Sequence, residues 1–199
     1  MSWSGILQRP QAAEARPAAP DDRELLARVS RGDLQAFERL YRLYQPRLTR
    51  FLTTLLKRPQ LIEEVLDDTM MVVWQTAGNF RGSSKPSTWV FAIAYRKAIK
   101  ARARWPDPVE EPDFDHRVSE EPLPDEELHQ ERLRGALLKA MDQLSPDHRA
   151  VVDLTYFHEL GYREIAEIVG CPVDTVKTRM FHARRILKRE LAGGLVDWL

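Results

Sequence analysis

The chain has 199 residues, a formal net charge of zero at pH 7 and a single cysteine, Cys171. This length allows one domain or two small ones, and the lone cysteine excludes an intrachain disulfide framework and a cysteine metal cluster. No stretch is long and apolar enough to span a membrane, and the N-terminus lacks the pattern of a signal peptide. A cytoplasmic protein without membrane insertion is therefore predicted.

The first half of the chain predicts a helical unit. Residues 1–20, rich in alanine and proline, are expected to be a disordered tail. In residues 21–104 apolar side chains recur at helical spacing, and no alternating strand pattern stands out. Pro46 is expected to bend or restart the second helix. The predicted helices begin at Asp21 and Asp33 and then cover 61–76 and 89–104, with a loop at 77–87.

An acidic segment separates this unit from a second one. Residues 105–131 carry eleven acidic side chains against Arg117 alone, and prolines crowd the first part. Residues 105–124 are therefore predicted to be a flexible linker. A second helical unit is expected at 125–191, with Gly193 and Gly194 ending its last helix before a tail at 192–199. The fold class is thus all-α, with two small helical domains and few contacts between them.

The most specific pattern lies in the second unit. An amphipathic segment, 162–169, is followed by a tight turn from Gly170 to Pro172 and then by another helix. This is the layout of a helix-turn-helix, whose second helix enters the DNA major groove. One side of that helix is apolar, whereas 177–189 contain six basic residues and no acidic one. A solvated basic helix that suits its own macrodipole is the alternative, mainly for Lys188 and Arg189.

Residues early in a recognition helix usually reach the bases. Lys177, Thr178, Phe181 and His182 are therefore predicted to read base edges. Arg179, Arg184 and Arg185 are predicted mainly to hold phosphates. The DNA-contact candidates of this unit are Tyr162, Arg163, Thr175, Lys177, Thr178, Arg179, Phe181, His182, Arg184 and Arg185.

The sequence gives no sign of catalysis. Its five histidines show no metal-ligand spacing, and no phosphate-binding glycine loop or nucleophile arrangement is present. His148 and His158 are expected on helix surfaces. Neither an enzyme nor a cofactor is predicted.

Four motifs in chain order resemble the extracytoplasmic-function sigma factors of bacteria. Residues 32–41 resemble the opening helix of that family, 63–69 with Trp74 its polymerase-binding helix, and 80–82 with 87–89 its promoter-melting segment. Residues 144–185 resemble region four. The two helical units then correspond to sigma regions two and four.

This resemblance implies that the chain binds core RNA polymerase and directs it to the minus-ten and minus-thirty-five elements of promoter DNA. An anti-sigma factor is a further expected partner. The implied minus-ten contacts are Phe80, Arg81, Ser83, Ser84, Lys85, Trp89, Arg96, Lys97 and Lys100. The implied polymerase contacts are Glu63, Glu64, Asp67 and Asp68, whereas Trp74 is expected in the core.

The chain departs from the family pattern at Asp67, Met70, Arg96 and Gly161, where the family often has Gln, Phe, Asn and Ser. The first two departures alter either polymerase contact or packing. Two other functions stay open. One is a helix-turn-helix regulator whose first unit senses a signal or dimerises, and the other is a helical sigma mimic that does not bind DNA.

Overall fold

The computed structural model describes residues 21–105 and 135–196. These residues form helices and turns with no strand among them, which confirms the all-α prediction. Most of the predicted linker, the N-terminal tail, residues 197–199 and the start of the second unit lie outside the described residues. The helices are α1 (Asp22–Val29), α2 (Leu34–Leu55), α3 (Pro59–Thr76), α4 (Pro86–Arg104), α5 (135–142), α6 (Pro146–Tyr156), α7 (Tyr162–Val169) and α8 (Val173–Val196).

Side-chain caps start several of these helices. Asp21 accepts a hydrogen bond from the amide of Arg23, and Asp33 accepts one from the amide of Ala36, as the sequence suggests. The amide of Ala36, followed by the Arg28 guanidinium, holds the pKa of Asp33 below its usual value. These caps fix the path of the chain between α1 and α2.

The structure contradicts two predicted helix breaks, namely the restart of α2 at Pro46 and the end of the last helix at Gly193 and Gly194. Pro46 lies inside α2 without restarting it, and α8 continues past Gly193 and Gly194. An interior proline costs about 3 kcal/mol. Tyr44 and Leu48, close to Pro46 in the chain, are fully buried. Burying each such side chain contributes about 1.5–3 kcal/mol, so packing outweighs the hydrogen bond that the proline removes. Each glycine weakens α8 by only about 1 kcal/mol.

The two helical units pack against each other. Helix α6 lies on α2, and α7 lies on α4. The His158 ring contacts the rings of Phe51 and Phe91, and the Tyr95 hydroxyl donates a 3.1 Å hydrogen bond to Asp147. The expectation of few contacts between the units is therefore wrong. The expected surface position of His158 is wrong as well, because its side chain is only 4% exposed.

Within the described ranges, none of the helices combines the length and the apolar character that crossing a lipid bilayer requires.

Candidate nucleic-acid interface

Helices α7 and α8 form the predicted helix-turn-helix. Gly170 ends α7 with a φ of +69°, a left-handed conformation in which a β-carbon would be strained. Helix α8 then buries Val176, Met180, Ala183 and Leu187. The predicted apolar side of the helix is therefore the side that anchors it to the rest of the unit.

The opposite side of α8 is open. Phe181 is 64% exposed. Its ring lies edge-on to that of His182, at 5.5 Å between centroids. Lys177, Thr178 and Arg185 are also exposed, while His182 is half-buried. The structure thus brings the four predicted base readers onto one face.

Two of these side chains make local contacts. Lys177 forms a 2.9 Å ion pair with Asp174, and the Thr178 hydroxyl donates to the backbone carbonyl of Asp174. The ion pair is exposed, and such pairs contribute about 1 kcal/mol at most. Lys177 can therefore exchange Asp174 for DNA at little cost.

Two arginines that are predicted to hold phosphates form hydrogen bonds with other side chains of the protein. Arg179 donates to the Asp147 carboxylate, which also accepts from Tyr95. Arg184 donates a 3.1 Å hydrogen bond to the Tyr156 hydroxyl. Burial, together with the Asp147 carboxylate, raises the pKa of Tyr95 to about 12. In this conformation Arg179 ties the recognition helix to α6 rather than facing outward.

An open groove of about 810 Å³ lies between the start of α7 and the start of α8. Four predicted contacts line it, namely Tyr162, Arg163, Lys177 and Arg184. Arg163 is exposed, whereas Thr175 is half-buried. The amide of Gly161 donates to Glu164 at 3.0 Å, so the start of α7 is stabilised without a serine at position 161.

The predicted minus-ten aromatics lie in the loop before α4, for Phe80, and in the first turn of α4, for Trp89. Phe80 and Trp89 are half-buried and pack together, with ring centroids 5.5 Å apart. Arg81 and Ser83 are exposed, and Ser84 is half-buried. Lys85 forms a 2.9 Å ion pair with Glu164 of the second unit. Burial would raise the pKa of Glu164, but the hydrogen bonds from Lys85 and from the Gly161 amide outweigh it and lower that pKa.

The basic residues of α4 have different surroundings. Arg96 and Lys100 are exposed, as a phosphate contact requires. Lys97 is half-buried and pairs with Asp68 of α3 at 2.9 Å. The structure therefore leaves Arg96 and Lys100 open and engages Lys97 within its own unit.

The predicted polymerase contacts are all exposed on one face of α3: Glu63, Glu64, Asp67 and Asp68. The Tyr41 hydroxyl donates to Asp67 at 3.0 Å. Met70 is 1% exposed, so its departure from the family pattern concerns packing. Trp74 packs against Phe37 and the core, as expected.

Sequence reasoning did not single out the residues that join the two units. Asp147 lies in the first turn of α6, and it accepts hydrogen bonds from both units. Glu164 caps the start of α7 through the Gly161 amide, and it also pairs with Lys85 of the first unit.

Comparisons with known proteins agree with this geometry. The profile of Sigma-70 region 2 matches residues 40–105, and that of Sigma-70 region 4 matches residues 134–187. The RNA polymerase sigma-H factor of Pseudomonas aeruginosa is 30% identical over 180 residues, which cover 85% of this chain and 93% of that protein. The ECF RNA polymerase sigma-E factor of Haemophilus influenzae is 28% identical over 180 residues, which cover 85% of this chain and 95% of that protein.

Solved structures show the same fold. The sigma factor RpoE of Bartonella quintana, in complex with the anti-sigma factor NepR, aligns with a TM-score of 0.59 and 25% identity over 80% of this chain and 98% of that one. CnrH, in complex with the cytosolic domain of CnrY, aligns with a TM-score of 0.63 and 22% identity over 87% of this chain and 99% of that one.

Proposed function

This chain belongs to the extracytoplasmic-function sigma factors of RNA polymerase, and on that basis we propose the residues through which it binds polymerase and reads promoters. It directs promoter-specific transcription initiation. We infer that the chain binds the polymerase and positions it on promoter DNA, whereas the polymerase carries out the chemistry of RNA synthesis. The proposed place of action is the cytoplasm, where it meets polymerase and promoter DNA.

We assign recognition of the minus-thirty-five element to α8. The observation that carries this assignment is the exposed face with Lys177, Thr178 and Phe181, held in place by a buried apolar face. Lysine donates to guanine, and threonine and phenylalanine contact thymine methyl groups. Arg185 neutralises phosphates, which supplies affinity without sequence preference.

We assign recognition of the minus-ten element to the segment from Phe80 to Lys100. When the strands open, unpaired bases stack on aromatic rings while cations follow the backbone. Phe80 is the proposed base contact, and the Trp89 ring packs against it at 5.5 Å between centroids. Arg96 and Lys100 are the proposed phosphate contacts, because both are exposed on α4.

We assign polymerase binding to the acidic face of α3. Opposite charges on the two partners speed their encounter and fix its register. Within the described part of the chain, neither Glu63 nor Glu64 forms an ion pair. Both carboxylates are therefore available to basic groups of the polymerase. We further propose an anti-sigma factor as a partner, by analogy with the Bartonella protein.

We propose that region two spans residues 21–104 and region four residues 125–191, with the acidic segment as their tether. Limited proteolysis should cut between these bounds. Cleavage inside either unit, with the tether left intact, would contradict the boundaries.

Transcription in vitro with purified core polymerase tests the proposed function. The chain should give initiation from specific promoters without any other sigma factor. A regulator would act only when a sigma factor is already present, and a sigma mimic would remove a partner without initiating. Sequencing the RNA starts after overexpression would then identify the promoters.

A further inference from the structure

The first turn of α8 carries an acidic residue, Asp174, on the exposed face of the recognition helix. Its side chain is 90% exposed. In the sequence of residues 173–189 it is the only acidic residue. At 100° per residue, its position shares a stripe with the residues three, four and seven places further on: Lys177, Thr178 and Phe181. A carboxylate therefore lies among the side chains that are proposed to read bases.

The place of Asp174 does not favour general affinity for DNA. A carboxylate repels the phosphates, which supply most of the sequence-independent binding. An acid in the first turn does stabilise the positive end of a helix, but this effect is small for an exposed side chain. Asp174 is therefore better placed to discriminate between bases than to strengthen the binding of DNA.

Asp174 and Lys177 present an acceptor and a donor side by side. Lys177 Nζ lies 2.9 Å from Asp174 Oδ1, and the two side chains are 59% and 90% exposed. This contact uses one of the three N–H donors of the ammonium group and part of the acceptor capacity of the carboxylate. Both groups therefore keep further hydrogen-bonding capacity for a partner that approaches the exposed face.

The major-groove edge of a C·G base pair is complementary to this arrangement. Cytosine presents the N4 amino group as a donor, and guanine presents O6 and N7 beside it as acceptors. Cytosine N4 and guanine O6 are joined by their own N–H···O hydrogen bond, about 2.9 Å long. The two groups on the base pair are thus as far apart as the 2.9 Å that separates Asp174 from Lys177. Aspartate accepts from cytosine N4, and lysine donates to guanine O6 and N7.

Other base pairs match the two side chains less well. An ionised carboxylate only accepts hydrogen bonds, so guanine O6 or thymine O4 in place of cytosine N4 would bring two acceptors together. Adenine offers a donor at N6 but a single acceptor on each side of it, whereas guanine offers lysine two adjacent acceptors. Such a mismatch excludes wrong partners, which is a common source of specificity.

We propose that Asp174 is a specificity-determining residue: together with Lys177 it reads one C·G base pair of the minus-thirty-five element. This inference rests on the proposed function of α8. Lys177 contacts the guanine, and Asp174 contacts the paired cytosine and rejects an acceptor in its place. The carboxylate contributes sequence preference, whereas the surrounding cations contribute affinity.

Selection from a promoter library with a randomised minus-thirty-five element, using the full chain with core polymerase, tests the assignment. The wild-type chain should prefer C·G at one position. Asp174→Asn keeps the size of the side chain, but asparagine pairs with adenine N6 and N7. The preference at that position should move from cytosine to adenine, with a change in discrimination of roughly five- to 150-fold. An unchanged preference, or a wild-type preference for another base pair there, would overturn the proposal.

Glu167→Gln is the matched control for the loss of one negative charge. Glu167 is exposed on α7, the first helix of the helix-turn-helix, and lies in none of the proposed binding sites. This variant should keep the wild-type base preference at every position. Equal shifts of preference in Glu167→Gln and Asp174→Asn would show an effect of net charge and contradict a contact between Asp174 and a base.

Lys177→Ala tests whether the two side chains share one base pair. It should lower discrimination at the same position as Asp174→Asn, and changes at two different positions would contradict the shared pair. Urea unfolding of Asp174→Asn should give a midpoint close to that of the wild type, because the side chain is exposed. A lower midpoint with an unchanged base preference would show that Asp174 serves only the helix end. Failure of the wild-type chain to select any sequence would count against the proposed function instead.

Discussion

Replacing Lys177 and Arg185 separately by alanine should distinguish base reading from phosphate binding. Both side chains are exposed on α8, whose opposite face is buried against the unit. Lys177 lies four residues into the helix, where base edges are reached, and Arg185 lies two turns further on. The two alanine substitutions should therefore have different kinds of effect on DNA binding, and not only effects of different magnitude.

The magnitudes follow from the surroundings of each residue. The side chains of Lys177 and Asp174 are 59% and 90% exposed, so breaking their ion pair should change folding stability by about 0.5 kcal/mol or less. A lost base contact costs about 1–3 kcal/mol, or roughly five- to 150-fold in affinity. A loss of affinity of that size is larger than the expected loss of folding stability, so it must come from a lost contact with DNA.

Selection from a library with a randomised minus-thirty-five element, followed by salt titration, measures both effects. Lys177→Ala should change the preference at one promoter position. Arg185→Ala should weaken all sequences similarly and lower the salt slope by about one. Lys139→Ala controls for the loss of one exposed positive charge outside the proposed interface. If Lys177→Ala keeps the wild-type preference while Arg185→Ala shifts it, the two roles are inverted.

Three further predictions concern binding, packing and pH. Glu64→Lys combined with Asp68→Lys should weaken binding in a titration against core polymerase while circular dichroism stays unchanged; unaltered affinity would exclude the acidic face. Met180→Ala should lower the free energy of unfolding by about 2–5 kcal/mol in urea, because Met180 is buried, whereas exposed Phe181→Ala should change it by about 0.5 kcal/mol or less. Since folding lowers the pKa of Glu164 below 4.5, its stabilising contribution is complete above pH 4.5 and lost as pH falls through the folded pKa. Glu164→Gln should flatten that part of the stability profile, and an unchanged acid limb would show that Glu164 does not cause it.

Local patterns predicted much of the fold and of the recognition helix. The buried set on α8 follows from helical spacing alone, because each member repeats at three or four residues from the last. The caps at Asp21 and Asp33 follow from neighbours within three residues. The effect of Pro46 was not predictable in this way, because the local cost of a proline does not include the burial of the side chains on either side of it.

Contacts between distant segments could not be predicted in this way. Tyr95 and Asp147 are 52 positions apart, and an acidic segment lies between them, so no periodicity relates them. Asp147 satisfies the positive end of α6 whether or not Tyr95 is present, which hides its second role. Arg179 shows the same limit, because its spacing places it near the apolar face but does not reveal that it binds Asp147.

The imidazole of His158 provides the protein with a built-in spectroscopic reporter. Its ring lies against the rings of Phe91 and Phe51, at 4.6 and 6.1 Å between centroids, and these aromatics belong to the other unit. Ring currents of both phenylalanines shift the proton resonances of the imidazole away from the values of a solvated histidine. Separation of the units would return those resonances towards solvated values, so a proton spectrum of the unlabelled chain reports whether this packing is present.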